Sequence, residues 1–146
     1  MLITSDNVAC DKLLSLLGGP KVVDARIRSF GVDHIAIRYT EQDLQTRKVD
    51  NTATPAAMVA LLAKIARRQV GLSVASAALL DDLLLRVKTG QQRIKGDLPP
   101  GAPVAHKTGM SDTRDGKTDA TNDVGVSHCR LIALHSKWLC ERTRRR

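Results

Sequence analysis

Three short motifs in this sequence carry the side chains with which proteins perform acid–base and nucleophilic chemistry. In chain order they are Ser5-Asp6-Asn7, Glu41-Gln42-Asp43-Leu44-Gln45 and Lys107-Thr108-Gly109. Hydroxyl, carboxylate and ammonium groups can accept, donate or relay protons when a fold holds them together. Lys107 follows an extended apolar run, which can hold its ammonium rigidly at the edge of a sheet. The side chains of these three motifs are therefore the candidate catalytic or binding groups of this chain.

Each motif also has an ordinary structural explanation. Ser5-Asp6-Asn7 can simply cap a helix, because these residue types accept hydrogen bonds from the first turn. Glu41, taken alone, is typical of a solvated charge in a loop. A Lys-Thr-Gly arises easily by chance, and Lys88-Thr89-Gly90 is a second copy, which we assign to a helix end. The order and context of the motifs must therefore carry the functional interpretation.

Four predicted helices must position the first two motifs. They run from Asp6 or Asn7 to about Leu17, from Pro20 to Gly31, from Thr54-Pro55 onward, and from Ser76 to Gly90. Their apolar faces comprise Cys10, Leu13, Leu14 and Leu17; Val23, Ile27 and Phe30; Met58, Leu61, Leu62 and Ile65; and Leu79, Leu80, Leu83, Leu84 and Val87. Residues 32–52 are polar without clear periodicity, which predicts a long loop, and long loops are often functional.

Two short strands are predicted toward the C-terminus. They are Val104–Thr108 and a strand beginning at Asp123–Val126, with a polar connection from Gly109 to Asn122. Two strands alone make a marginal sheet, so this sheet needs further partners.

Composition excludes several classes of protein. The chain has 146 residues, of which 42% are hydrophobic and 26% charged, as expected of one globular domain. No apolar run approaches the roughly 18 residues of a membrane span. Aromatic residues make up only 2%, too few for recognition of single-stranded nucleic acid by stacking. The three cysteines are too few and too scattered for a disulfide framework.

The positive charge is concentrated at one end. The net charge is +8, and residues 127–146 hold +5 of it. A basic terminus of this kind is typically a solvated tail, although it also attracts polyanions without specificity. The segment contains His128, Cys129, His135 and Cys140, whose spacing fits no standard zinc site. We expect no metal and no cofactor, and we interpret Cys10 as a small core residue.

Taken together, the three motifs resemble those of the class A serine β-lactamases. The resemblance extends to Gly18-Gly19-Pro20, Thr54-Pro55-Ala56-Ala57-Met58 and Thr121-Asn122-Asp123-Val124-Gly125, and it covers about residues 2–126. The long segment after Lys107-Thr108-Gly109 resembles the extended-spectrum branch of that family. The resemblance implies an α/β fold, the α+β sandwich shared by β-lactamases and transpeptidases. We expect it to be incomplete here, mostly helical with two or three C-terminal strands. Residues 1–126 would form the second half of the domain, and 127–146 a divergent basic tail.

The resemblance also implies roles in the hydrolysis of β-lactams through a serine acyl-enzyme. Ser5 would relay a proton to the departing lactam nitrogen, and Lys107 beside it would favour that transfer and attract the substrate carboxylate. Thr108 and Ser111 would hydrogen-bond that carboxylate, with Gly109 completing the Lys-Thr-Gly motif.

The other implied roles concern the second step and the bound substrate. Glu41 would be the general base that activates the deacylating water, and Gln45 would help to hold that water. Gln45 stands where the commoner family pattern has asparagine. Asn7 would bind the side-chain amide of the substrate, and the backbone N–H of Met110 would form half of the oxyanion hole.

One part of the family pattern is missing from this sequence. The nucleophile motif, Ser-x-x-Lys, precedes Ser-Asp-Asn in the family, and none of the eight serines here is followed by lysine three residues later. We therefore expect a truncated homologue that is inactive alone. Two alternatives remain: a fragment that complements an N-terminal half, and a basic protein that reuses the scaffold to bind nucleic acid.

The expected partners follow from these interpretations. A β-lactam would bind the isolated chain weakly or not at all, and the chain would pair with an N-terminal half or with itself. We expect no membrane partner, and nucleic acid is the less favoured one. The sequence begins without a secretory signal, which predicts a cytoplasmic chain, whereas the family is periplasmic or secreted.

Overall fold

Within the described residues, five helices and two short strands are followed by an antiparallel sheet. The computed structural model describes residues 1–111, 113–114, 117–118, 120–127 and 130–135, with the backbone alone at 113–114, 117 and 130–135. The helices are α1 (Asn7–Leu16), α2 (Pro20–Arg28), α3 (Glu41–Thr46), α4 (Pro55–Ala66) and α5 (Val74–Leu85). The strands are β1 (Ile35–Ala36), β2 (Thr52–Ala53), β3 (Val104–Met110), β4 (Thr113–Arg114), β5 (Lys117–Thr118), β6 (Thr121–Ser127) and β7 (Arg130–His135).

Polar residues at the helix starts define where most of the helices begin. Asp6 caps α1 and Thr54 caps α4, each accepting a hydrogen bond from a backbone N–H three residues later, as the sequence predicted. The expected start of the fourth predicted helix at Ser76 was wrong. Ser73 caps the helix instead, because its Oγ accepts from Ser76 N at 3.1 Å. Helix α5 therefore begins at Val74, two residues before Ser76. The helix also ends at Leu85 rather than at Gly90.

The prediction of an irregular loop over residues 32–52 was also wrong. β1 and β2 pair antiparallel, with Ile35 opposite Ala53, and thereby close the segment into a compact loop that contains α3. Asn51 stabilises this loop with its side-chain amide, which accepts from the backbone at residue 38 (2.8 Å) and donates to Tyr39 O (3.0 Å). Elements this short cannot show periodicity in the sequence. Side chains outside these elements supply part of their hydrogen bonds, so local residue patterns do not predict them.

The main sheet has the order β3-β6-β7 and is antiparallel throughout. β3 and β6 pair over seven residues with Lys107 opposite Val124, so both strands are longer than the sequence predicted. β4 and β5 pair within what was predicted to be a polar connection. β7 lies in the segment predicted to be a divergent tail, whose remaining residues, 128–129 and 136–146, lie outside the described part of the chain.

The core is divided between the closed loop and the sheet. Val32, Ile35 and Ala57 form one buried cluster, against which Ile27 of α2 and Phe30, just after that helix, pack. Helices α4 and α5 pack against the sheet. The predicted inward face of α5 holds only in part, because Leu79 is 59% exposed. No helix in the described part is long and apolar enough to span a membrane.

Candidate functional site

The N-terminus of α1 presents the hydroxyl of Ser5. Asp6 Oδ1 accepts from Ala9 N at 2.8 Å, so the expected helix cap is present and is provided by the middle residue of the motif. Ser5 itself has a φ of +55°, in the left-handed region that non-glycine residues avoid. Such a conformation costs about 1 kcal/mol or more and is common at functional positions. The capping interpretation and the functional interpretation of Ser5-Asp6-Asn7 are therefore compatible.

Lys107 reaches Ser5 across 102 residues of sequence. Its Nζ donates to Ser5 Oγ at 2.7 Å and to Thr108 O at 2.6 Å. Lys107 lies within β3, which is paired along its length with β6. The start of the chain is held nearby, because Lys88 N donates to Ile3 O at 2.9 Å. The fold thus joins the first and third motifs directly.

The charge of Lys107 is set by opposing influences. Burial lowers the pKa of the ammonium, because a charged group is poorly solvated inside the protein. Negative charge on Asp123 and Glu41 raises that pKa, whereas the positive charge of Arg93 lowers it. The net result is a pKa below the usual lysine value, which makes Lys107 a better proton donor than an exposed lysine.

Glu41 is the first residue of α3, and α1 holds that end of the helix. Asp11 Oδ1 accepts from Glu41 N at 2.7 Å, and Asp11 Oδ2 accepts from Gln42 N at 2.9 Å. Thr40 and Asp43 form a capping box at the same end. The Glu41 backbone is therefore fixed twice, by its own cap and by α1.

The side chain of Glu41 is half-buried, and its pKa is raised. Burial is the largest cause, the negative charge of Asp11 adds to it, and Lys107 opposes it. A carboxylate with a raised pKa is a stronger base than an exposed one. The second motif therefore lies within electrostatic reach of the third, although no direct hydrogen bond joins Glu41 to Ser5 or Lys107 in the described structure.

The end of β3 brings the remaining residues of the third motif to the same edge. Thr108 Oγ1 lies 2.6 Å from Thr89 Oγ1, so the second Lys-Thr-Gly copy packs against the first. The interpretation of that copy as a helix end was wrong, because α5 stops at Leu85 and the motif lies beyond it. Ser111 closes the turn after β3, where its Oγ accepts from Ala120 N at 3.0 Å.

Two predicted site residues stand apart from the others. Asn7 and Gln45 are exposed on α1 and α3, and within the described structure neither side chain hydrogen-bonds to another predicted site residue. Met110, the last residue of β3, is also exposed. Their predicted roles concern a substrate or the deacylating water, and those roles stay predictions.

Sequence reasoning missed three groups of residues at this site. Arg93 donates to Gly109 O (3.3 Å) and Asn122 O (2.6 Å), which adds a fixed positive charge beside the third motif. Asp11, on α1, anchors the second motif. His106 and Asp123 form a buried pair next to Lys107. Nothing in the sequence distinguishes Arg93 or Asp11 from ordinary charged residues of a helix surface or a turn.

Cys10 lies close enough to this site for the charges of the site to act on its thiol. Burial raises the pKa of the thiol, and the negative charges of Glu41 and Asp11 raise it further. The thiol therefore stays protonated and uncharged at neutral pH. Among the described residues, no cluster of three His, Cys, Asp or Glu side chains could hold a metal ion.

Comparisons with known proteins extend over most of the chain. A family model described as "Beta-lactamase enzyme family" matches residues 1–129. The extended-spectrum β-lactamase PER-1 of Pseudomonas aeruginosa is 39% identical over 125 residues, which cover 84% of this chain and 40% of PER-1. β-Lactamase VEB-1 of the same species is 37% identical over 126 residues, covering 84% and 42% of the two chains.

Solved structures give the same result. The crystal structure of a β-lactamase from Chitinophaga pinensis has a TM-score of 0.81 and 43% identity, covering 84% of this chain and 46% of that one. The TLA-3 extended-spectrum β-lactamase also has a TM-score of 0.81, with 41% identity and the same coverage. This chain therefore spans less than half the length of these relatives.

Proposed function

This chain belongs to the β-lactamase enzyme family, and we propose that it supplies the proton-transfer and deacylation side of a class A serine β-lactamase site. Its membership confirms the class A resemblance and the mixed helix-and-sheet fold predicted from the sequence. The chain covers only 40–46% of the length of these relatives. We therefore propose for it a part of the catalytic site, and not the activity of the whole enzyme.

The contact between Lys107 Nζ and Ser5 Oγ carries the proposal. At 2.7 Å the ammonium donates to the hydroxyl oxygen, and the hydroxyl proton is then free to point toward a third group. A hydroxyl held in this way can donate its proton to a departing nitrogen and be reprotonated from Lys107. The lowered pKa of Lys107 favours that transfer.

Glu41 supports the second step of the proposal. A half-buried carboxylate with a raised pKa can take a proton from a water molecule more readily than a fully solvated one. Asp11 and the Thr40 cap hold its backbone in place, so the base needs little reorganisation. Thr108, Arg93 and Lys107 give the neighbouring edge of β3 the positive charge and hydroxyl that a substrate carboxylate requires.

The nucleophile is the component that we propose comes from a segment outside these 146 residues. No serine of the sequence is followed by lysine at the third position. Ser5 already serves as the proton relay in this proposal, and its hydroxyl is committed to Lys107. We therefore expect these 146 residues alone to leave β-lactams intact, and to complete a site when a segment carrying Ser-x-x-Lys is supplied.

The apolar surface of the helices favours such a partner segment. Val8 is 82% exposed, Leu16 72% and Leu17 60%, and all three lie on or next to α1. Burying exposed apolar side chains such as these against a partner is favourable, because it removes them from water. The relatives contain more than half of their length beyond the matched region, which is enough chain to cover this surface.

The test is hydrolysis of a chromogenic cephalosporin by the 146-residue chain, alone and with the part of PER-1 that the match leaves uncovered. We expect no turnover from either component and turnover from the mixture. Lys107→Met and Glu41→Gln should abolish it, while Lys12→Met, at an exposed lysine of α1, should not. Turnover by the chain alone that survives both site substitutions would contradict the proposal, as would an associated mixture without turnover.

A further inference from the structure

A buried histidine–aspartate pair lies directly behind the lysine of the site. His106 and Asp123 are each 1% exposed, and His106 Nδ1 lies 3.0 Å and 3.1 Å from the two carboxylate oxygens of Asp123. An ionised carboxylate can only accept hydrogen bonds, so Nδ1 carries the proton. His106 Nε2 is buried and has no hydrogen-bond partner among the residues whose side chains the structure describes.

Stability alone does not account for this pair. Removing a carboxylate from water is expensive, and a buried polar pair is often no more stable than apolar side chains of similar volume. None of the described side chains satisfies Nε2, and a buried polar atom without a partner loses its hydration, which adds a further cost. A pair that is costly to the fold and adjacent to the site points to a role in the site.

The pairing of the strands connects His106 and Asp123 to Lys107. His106 precedes Lys107 on β3, and Asp123 lies opposite Thr108 on β6. Since side chains alternate along a strand, His106 points to the buried face and Lys107 to the other, toward Ser5. The two strands approach closely here: a Cβ at Gly125, opposite His106, would lie 2.7 Å from Ala105 O.

Asp123 also acts on Lys107 through its charge. Among the groups whose charge favours the ammonium, Asp123 is the strongest, ahead of Glu41. Arg93 acts in the opposite direction, and burial of Lys107 disfavours the ammonium most. Lys107 is thus a partly buried cation, and the negative charge that favours it most, on Asp123, lies on the other face of the same strand pair.

We propose that His106 and Asp123 are positioning residues for Lys107: the hydrogen-bonded pair locks β3 against β6 and supplies the negative charge that keeps the ammonium in place against Ser5. Neither side chain touches a substrate in this arrangement. The inference rests on the proposed role of Lys107, and it adds the buried pair that maintains the charge and direction of that residue.

The experiment follows the ε-carbon of Lys107 by NMR as pH is raised, in the full chain labelled with ¹³C-lysine. Lys107→Arg identifies the signal. Asp123→Asn should move the titration midpoint of Lys107 to lower pH, because the compensating charge is lost. Asp97→Asn, which removes the same charge from an exposed position, should leave that midpoint unchanged. The readout needs no β-lactam, so its failure is distinct from failure of the proposed function.

A second variant protects the test against simple unfolding. His106→Gln/Asp123→Asn removes the charge but leaves a donor facing an acceptor, which costs less than stranding one partner. It should lower the Lys107 midpoint as Asp123→Asn does. An unchanged midpoint, or an equal shift in Asp97→Asn, would overturn the proposal. Loss of a dispersed spectrum in both Asp123 variants would assign the pair to folding alone and would overturn it as well.

Discussion

Asp11→Ala is expected to destabilise the chain by about 2 kcal/mol at neutral pH. The Asp11 carboxylate accepts two backbone hydrogen bonds at the start of α3, at 2.7 Å from Glu41 N and 2.9 Å from Gln42 N. Hydrogen bonds to a charged group are worth about 1.5–3 kcal/mol when buried, so the part-buried bond from Glu41 accounts for about 1.5 kcal/mol. The exposed bond from Gln42 adds about 0.5 kcal/mol, since water can replace Asp11 there.

Relief of repulsion offsets part of this loss. The negative charge of Asp11 raises the pKa of Glu41, so removing Asp11 should lower that pKa toward its usual value. Asp11→Asn keeps one acceptor oxygen and loses the charge, and it should cost about 1 kcal/mol. Both variants remove the charge, so the difference between them measures the hydrogen bond that the asparagine oxygen retains.

Urea unfolding followed by circular dichroism at pH 7 measures these free energies, and amide hydrogen exchange at residues 41 and 42 locates the change. Asp50→Ala, an exposed position in the same closed loop, is the control for loss of one negative charge. If Asp11→Ala and Asp50→Ala unfold within about 0.5 kcal/mol of each other, Asp11 does not anchor α3 and the reasoning is refuted.

Three further outcomes follow from the same contacts. Asn51→Ala should cost about 2 kcal/mol in urea unfolding, because its amide makes three hydrogen bonds to the backbone at residues 38 and 39. Gly125→Ala should cost about 2 kcal/mol or more, since the new Cβ would lie 2.7 Å from Ala105 O. Because the pKa of Glu41 is raised in the folded chain, its contribution to stability is greatest below about pH 4 and is lost as pH rises through the folded pKa. Glu41→Gln should therefore be more stable than the parent chain at pH 7 and equal to it at low pH, as measured by unfolding across that range.

Matched substitutions distinguish these effects from general damage. Gln69→Ala, at an exposed position, is the control for Asn51→Ala. Gly109→Ala adds a Cβ to the same strand pair at 3.8 Å from Asn122 Cβ, and it should be tolerated where Gly125→Ala is not. Asp33→Asn is the exposed control for the pH series. Equal effects from a variant and its control would contradict the corresponding prediction.

Sequence periodicity predicted the longer helices well. The caps at Asp6 and Thr54 and the proline at the start of α2 are local signals, and local hydrogen bonds place them where the sequence indicates. The short elements between residues 32 and 53 escaped prediction because distant side chains define them. Asp24 Oδ1 accepts from Ile37 N at 2.8 Å, and Asp11 reaches the start of α3 from another helix.

The residues of the candidate site were likewise predictable only where residue type and order identify them. The order and identity of the motifs predicted Ser5, Glu41 and Lys107 as site residues, and the comparisons confirm the family of the chain. Arg93, Thr89 and the His106–Asp123 pair escaped notice, since each depends on a partner that is distant in sequence. Even the shortest of these separations, between Arg93 and Gly109, is 16 residues.

The amino-acid sequence by itself determined the family, the starts of α1, α2 and α4, and the absence of a Ser-x-x-Lys motif from these residues, because each is a property of residue type and local order. Only the tertiary structure decided that Lys107 meets Ser5, that Asp11 holds Glu41, and that a carboxylate is buried behind the lysine. Distance and burial depend on which strands and helices pack together, and these determine the charge that a side chain carries.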